Sequence, residues 1–297
     1  EISCSLVGSE MCIRDRANNA KTDFLSRMSH DIRTPMNAII GMTAIANTHL
    51  DDRAKIADCL GKIDTSSRYL LSLINEVLDM SKIESGKFVL NEEEITLSKL
   101  IRNFIEMVQP AVESKKHTFL VHIGKITHEH VIGDNLRIQQ VFMNIMSNAV
   151  KYTPPGGKIE LTVMEKTFHL QKVGCYTFAF RDNGIGMSSE FLQRLFEPFE
   201  RASDVRVNKE QGTGLGMPIA KNIVSMMDGD IKVESQEGVG TTFTVTIYLK
   251  LQDKSLISTE SLPSMRVLIA DNDPVNCQNI CQTLTDLKIQ CEWVLSG

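Results

Sequence analysis

Two apolar runs of helical period stand back to back near the start of the chain. From Ala17 to about Leu50 the apolar positions are Phe24, Leu25, Met28, Ile32, Met36, Ile39 and Ile40. From about Arg53 to Lys82 they are Ile56, Leu60, Ile63, Leu70, Leu71, Ile74, Val77 and Leu78. Both sets recur every three to four residues, as one face of a helix requires. The intervening His49–Asp52 is polar and turn-like, and so short a connection sets the two helices antiparallel. A single hairpin buries one stripe against its mate. The apolar surface left over predicts that residues 17–84 form an all-α hairpin pairing with a second copy into a dimeric four-helix bundle.

Beyond residue 84 the period changes. Lys87–Leu97 reads as a strand, and Ser98–Lys115 as a helix with Ser98 as its N-cap. His117–Ile123 reads as a strand, and Asp134–Tyr152 as a helix stopped by Pro154-Pro155-Gly156-Gly157. Lys158–Lys166 and Val173–Arg181 read as a β-hairpin, and Ser188–Leu195 and Leu215–Met227 as helices. Asp230–Ser235 and Thr241–Lys250 read as strands. Arg201–Gly212 is charged and without period, and reads as a mobile loop. Helices mixed with antiparallel strands predict an α+β sandwich over 87–250. A polar linker follows over 251–264. Residues 265–297 read as an incomplete α/β unit: a strand at Met265–Ala270, a helix from about Pro274 and a strand near Gln290–Leu295. Residues 1–16 hold two cysteines and have neither a period nor the apolar core of a signal peptide. They read as a non-native leader, and both ends suggest a piece of a longer protein.

Composition narrows the function classes. Thirty-two basic and 37 acidic residues leave a net charge of −5, which disfavours a general nucleic-acid binder. No apolar run is long enough to span a bilayer, so no membrane contact is expected within this stretch. The expected setting is the cytoplasmic portion of a longer parent, membrane-anchored or not. The seven cysteines are dispersed, which suits a reducing compartment; Cys277 and Cys281 read as buried thiols.

The first helix carries Phe24-Leu25-Ser26-Arg27-Met28-Ser29-His30-Asp31-Ile32-Arg33-Thr34-Pro35. His30 falls between apolar Met28 and Ile32 and so points outward. Pro35 has no N–H for the Asp31 carbonyl and disturbs Thr34. An exposed imidazole beside a carboxylate is a reasonable nucleophile, although a surface histidine near a kink fits the same residues. The segment resembles the phosphoacceptor box of sensor histidine kinases, their dimerisation and histidine-phosphotransfer domain. The resemblance implies that His30 accepts a phosphoryl group, that Asp31 assists, and that Thr34 positions water for a phosphatase reaction. The other six histidines read as ordinary, with His128 and His130 flanking Glu129 in a turn.

Four further motifs follow in order. Asn144, Asn148 and Lys151 lie at i, i+4 and i+7 on one helix face, with Tyr152 next. Carboxamide oxygens suit Mg2+ and a lysine suits phosphate. Asp182-Asn183-Gly184-Ile185-Gly186 follows a strand. Its carboxylate can accept from an exocyclic amine, and its glycines admit a flat ring. Phe196-Glu197-Pro198-Phe199-Glu200-Arg201 offers aromatic anchors for the next loop, where Arg201, Arg206 and Lys209 can reach phosphates. Gly212-Thr213-Gly214-Leu215-Gly216 opens a helix whose free N–H groups attract anions, in neither the P-loop nor the Rossmann spacing. Each alone also suits a polar helix face, an Asn-Gly turn, a core anchor or a plain loop. In this order they resemble the N, G1, F and G2 boxes of the histidine-kinase catalytic ATPase domain, of the gyrase, Hsp90 and MutL superfamily. The resemblance, over 17–250, implies ATP and Mg2+, with Asn148 as the metal ligand and Asn144, Lys151 and Tyr152 beside it. It puts Asp182 on adenine and Gly184, Gly186, Gly212, Gly214 and Gly216 around pocket and lid, with Arg201, Thr213 and Leu215 in the same binding set. Asp134 and Arg137 match the family's approach to the N box.

Met265–Asn276 resembles the first strand and acidic pocket of a response-regulator receiver domain. Asn272 stands where a second acid is usual, and the family's phosphoacceptor aspartate would fall beyond Gly297. Together the resemblances imply an ATP-dependent protein-histidine kinase, homodimeric through the hairpin. It would autophosphorylate His30 and pass the phosphoryl group to an aspartate of a response-regulator or receiver domain. The alternative left open is a catalytically silent, nucleotide-binding dimeric signalling scaffold. A further rival is a chaperone or mismatch-repair ATPase, a type that lacks a histidine box on a preceding hairpin.

Overall fold

The computed structural model describes residues 28–29, 31–166, 172–200, 213–252, 266–271, 277, 280–281 and 290–295. The expected leader, His30, the loop expected over Arg201–Gly212 and most of the expected linker lie outside the described residues. The chain divides into two units, one up to Leu251 and one from Gln252.

The first unit opens with the hairpin. Helix α1 is described over 31–48, and α2 spans Arg53–Glu84. α1 runs through Pro35: the ring removes one backbone bond without ending the helix. α2 begins at Asp52, whose carboxylate accepts from the Lys55 N–H. It ends with Gly86 at φ 65° donating to the Ile83 carbonyl and the Lys87 N–H donating to Lys82, a left-handed cap that suits glycine. The buried face of α2 differs from the expected stripe. Leu60, Leu71, Ile74 and Leu78 are exposed, Cys59 and Leu73 are buried, and Val77, Met80 and Ile83 pack on the core of the segment that follows. α2 has two apolar faces, and a count of helical spacing merges them.

The rest of this unit runs β1 (Glu93–Thr96), α3 (Leu97–Ser114), β2 (Thr118–Ile123), β3 (His130–Gly133), α4 (Asn135–Tyr152), β4 (Lys158–Lys166), β5 (Val173–Asp182), α5 (Ser189–Arg194), α6 (Gly216–Met226), β6 (Asp230–Gln236) and β7 (Gly240–Leu251). The strands form one sheet in the order β1-β3-β7-β5-β4-β2, with β6 also paired to β7. Among the described strands of this sheet, only β2 and β4 pair in parallel. Along β7, Phe243, Val245, Ile247 and Leu249 are buried while the residues between them are half-exposed, the two-residue period of a sheet covered on one face. The cover comes from α3, α4 and α6. Phe104 of α3 lies 5.5 Å from Phe142 of α4 and 6.0 Å from Phe180 of β5, ring centroid to ring centroid, both edge-to-face. Phe142 lies 4.6 Å from Phe178. Such pairs add packing specificity to the apolar burial.

Three local expectations change. The strand expected over Lys87–Leu97 is confined to Glu93–Thr96; before it Phe88 is buried and the Asn91 N–H donates to Asp134. α3 starts before Ser98, because Leu97 already belongs to its buried stripe with Leu100, Ile101 and Phe104. Ser98 donates instead to Glu129. His130 lies on strand β3 and not in a turn. β3 is too short to show a period and owes its form to pairing with β1 and β7.

In the second unit, β8 (Arg266–Asp271) and β9 (Gln290–Leu295) pair in parallel. Cys277 is a buried free thiol, whereas Cys281 is disulfide-bonded, against the thiol expected there. Among the described residues no helix is long and apolar enough to cross a membrane.

Candidate functional site

α4 is the central element of the site. Asp134 caps it, accepting from the Arg137 N–H at 3.0 Å, so the helix starts where the carboxylate meets its free donors. Its buried side, Ile138, Val141, Phe142, Ile145 and Met146, faces the core. Asn144, Asn148, Lys151 and Tyr152 are half-buried along its flank.

Two distant segments close on that flank. The first is the turn after β5. Asp182 is 9% exposed, and its Oδ1 accepts from the Gly184 N–H at 2.9 Å. Burial pushes its pKa up, and the Gly184 and Thr241 N–H groups partly offset this. The Ile185 N–H donates to the Tyr152 carbonyl at 3.2 Å, joining the turn to the end of α4. Gly186 has φ 67°, and a Cβ there would meet the Gln236 carbonyl at 2.0 Å, so only glycine fits. Asn183 holds the turn against β4: its Oδ1 accepts from the Lys158 N–H at 2.7 Å.

The second segment is the glycine-rich stretch entering α6. Asn144 Nδ2 donates to the Gly216 carbonyl at 2.9 Å. A Cβ on Gly216 would come within 3.4 Å of Asn144 Cγ, so the bare backbone keeps this contact open. The Phe199 N–H donates to the Gly214 carbonyl at 3.0 Å, which anchors the Phe196–Phe199 motif on the same stretch. Leu215 is buried in the core. Of the expected nucleotide set, Asn144, Tyr152, Asp182, Gly184, Gly214 and Gly216 take part in these hydrogen bonds, while Gly186 lies against the Gln236 backbone. Arg201 and Gly212 lie outside the described residues, as does His30. Asp31 is half-buried and Thr34 exposed on α1.

The His Kinase A (phospho-acceptor) domain matches residues 20–86, and the histidine kinase-, DNA gyrase B- and HSP90-like ATPase matches residues 133–252. The chain combines the two domains of histidine kinases. It is 31% identical over 296 residues to the autoinducer 2 sensor kinase/phosphatase LuxQ of Vibrio parahaemolyticus, covering 95% of this chain and 34% of that protein. The chain thus spans about a third of the length of the curated relatives it matches. In fold it resembles full-length ShkA in complex with AMPPNP, with a TM-score of 0.58 and 23% identity over 91% of this chain and 55% of that one. It also resembles histidine kinase ThkA in complex with response regulator TrrA, with a TM-score of 0.54 and 24% identity over 78% of this chain and 62% of that one. The phospho-acceptor match separates the chain from chaperone and mismatch-repair ATPases.

Sequence reasoning missed the acidic residues that join α2, the second helix of the phospho-acceptor domain, to the ATPase domain. Asp79 accepts from Arg137 Nη1 at 2.7 Å and from Gln140 Nε2 at 3.0 Å. Arg137 also lies over the Phe88 ring, 4.5 Å from its centroid. One turn earlier, Glu76 accepts from the Thr213 hydroxyl at 2.6 Å. Burial raises the Glu76 pKa, and the Thr213 and Ser72 hydroxyls partly offset this. Thr213 Oγ1 in turn accepts from the Leu215 N–H, so the glycine-rich stretch is tied to α2 as well as to α4. A double-mutant cycle on Asp79→Ala and Arg137→Ala, read by urea unfolding, is expected to give a coupling of about 1–3 kcal/mol. A coupling near zero would mean that the pair adds nothing to the union of the two domains.

Proposed function

We propose that this chain is the catalytic portion of an ATP-dependent protein-histidine kinase of two-component signalling. It moves the γ-phosphoryl group of ATP to His30, from which the group passes to an aspartate of a receiver domain. The observation that supports this reading is the convergence on α4 of the Asp182 turn and the glycine-rich stretch, through the Tyr152–Ile185 and Asn144–Gly216 hydrogen bonds.

In this reading the buried Asp182 carboxylate accepts from the exocyclic amine of adenine, and Gly184 and Gly186 leave room for the ring. The hard carboxamide oxygen of half-buried Asn148 fits Mg2+, with Asn144, Lys151 and Tyr152 beside it. When bound, the ion neutralises phosphate oxygens. Thr213, Gly214, Leu215 and Gly216, with Gly212 and Arg201, form the anion-binding lid at the start of α6. An imidazole nitrogen of His30 bonds to the γ-phosphorus as the bond to the leaving ADP oxygen breaks, and Asp31 holds or takes the ring proton. Thr34 orients a water that attacks the phosphorus of the partner's phosphorylated aspartate and releases inorganic phosphate when the enzyme runs as a phosphatase. Leu60, Leu71, Ile74 and Leu78 of α2, with Met36 and Ile40 of α1, are exposed and apolar, and a second copy covers them in a four-helix bundle. β8 and β9 open a receiver-type sheet.

Incubation of the chain with γ-labelled MgATP, beside His30→Gln, tests the proposal. The expected label is acid-labile, alkali-stable and absent from the variant. Label that persists in His30→Gln removes that residue as acceptor, and nucleotide binding without any label overturns the kinase reading.

A further inference from the structure

The last turn of α4 has lost its own donors. In a continuing helix the carbonyls of Val150 and Lys151 would accept from the N–H groups four residues on. Those residues are Pro154 and Pro155, and neither has an N–H. Pro154 also favours an extended Thr153, which has φ −88° and ψ 130°, so no left-handed cap follows to supply donors. Two adjacent carbonyls at the negative end of the helix are left to be satisfied from elsewhere.

Lys115 does this. Its ammonium donates to the Val150 carbonyl at 3.1 Å and to the Lys151 carbonyl at 3.0 Å. It comes from the turn after α3, and the cation sits where the helix dipole favours positive charge. Buried His117 lies beside it, with Nε2 3.3 Å from the Val150 carbonyl. A carbonyl can only accept, so that nitrogen carries the proton. The grip is reciprocal. The Gly156 N–H, which a continuing helix would spend on Tyr152, donates to the Lys115 carbonyl at 3.0 Å, and the Thr118 N–H donates to Gly157 at 2.8 Å. The Tyr152 carbonyl is thereby free for the Ile185 N–H of the Asp182 turn.

We infer that Lys115 is a positioning residue for nucleotide binding. It replaces the two donors deleted by Pro154 and Pro155, fixes the turn that carries Lys151 and Tyr152, and through the Tyr152 carbonyl fixes the turn that carries Asp182. Lys115 itself touches no substrate in this account. The inference rests on the reading of α4 and the Asp182 turn as the ATP site.

The full chain tests it as Lys115→Met, Lys115→Arg and, as a control, Lys116→Met. Lys116 is the exposed neighbour. Titration calorimetry gives the Kd for ADP and MgATP, labelling kinetics give KM and kcat, and hydrogen exchange follows the amides of 184–186. Lys115→Met is expected to raise Kd and KM at least tenfold, to leave kcat at saturating ATP within twofold, and to speed exchange at 184–186. Lys115→Arg is expected to restore most of the affinity, and Lys116→Met to behave as the native chain. Should Lys115→Met fail to fold, Lys115→Gln, whose amide retains a donor without the charge, is read by the same split. Native-like Kd in the folded variant, at whatever thermal stability, overturns the inference, as does an equal loss in Lys116→Met. A native chain that binds no nucleotide overturns the reading of the site, and this inference with it.

Discussion

Asp182→Asn is expected to weaken ATP binding by about two orders of magnitude, the equivalent of about 2–3 kcal/mol for one hydrogen bond to a charged group. The carboxylate is nearly out of solvent, and the Gly184 N–H already binds its Oδ1. An asparagine presents a neutral acceptor and an NH2 group, and one of its orientations turns that donor against the Gly184 N–H. The pH dependence carries a signature of its own. Burial raises the Asp182 pKa above its ordinary value, so between those two values the folded state binds more protons than the unfolded state. Without nucleotide, the ATPase domain therefore loses stability as pH rises through that window. ATP affinity runs the other way and weakens as pH falls through the raised pKa, because the neutral carboxyl is the poorer acceptor. Urea unfolding without nucleotide checks the first effect and calorimetric titration of ATP the second, both across the acid range, and Asp182→Asn should flatten both dependences. A variant that keeps native affinity would take Asp182 out of the adenine site.

The largest loss of stability is expected from Phe104→Ala, about 3–5 kcal/mol. Its ring is fully buried and meets Phe142 and Phe180 edge-to-face, so truncation opens a cavity between α3, α4 and β5. Leu100 and Ile101 are held on the same helix and cannot fill it without moving the helix. Urea unfolding followed by far-ultraviolet circular dichroism measures the loss, and Phe104→Leu should recover much of it. A cost below about 1 kcal/mol would mean that the layers close over the gap. Because Phe142 belongs to α4, a surviving Phe104→Ala protein should also bind ATP more weakly.

Much of this protein is legible along the chain because the signals are local. Helical spacing gives the hairpin, and the segments read as α3, α4, α6, β2, β4, β5 and β7 form those elements. The order of the asparagine, aspartate-glycine, phenylalanine and glycine-rich motifs singles out the candidate site along the chain. The double proline marks where α4 must stop.

What those signals could not supply lies in contacts between residues far apart in sequence. Strand β3 is four residues long and exists because β1 and β7 offer it partners. The division of α2 into an exposed stripe and a docked one depends on which side the ATPase domain packs, and Asp79 meets Arg137 across 58 positions. The same holds for Lys115 on α4. The prolines announce two carbonyls without donors, but the donor comes from 35 and 36 residues earlier, where α3 turns into β2. Local patterns determine which segments become helices or strands and which groups they leave unsatisfied. Only the tertiary packing decides which distant side chain satisfies them, because a hydrogen bond needs its partner within about 3 Å and sequence separation carries no such distance.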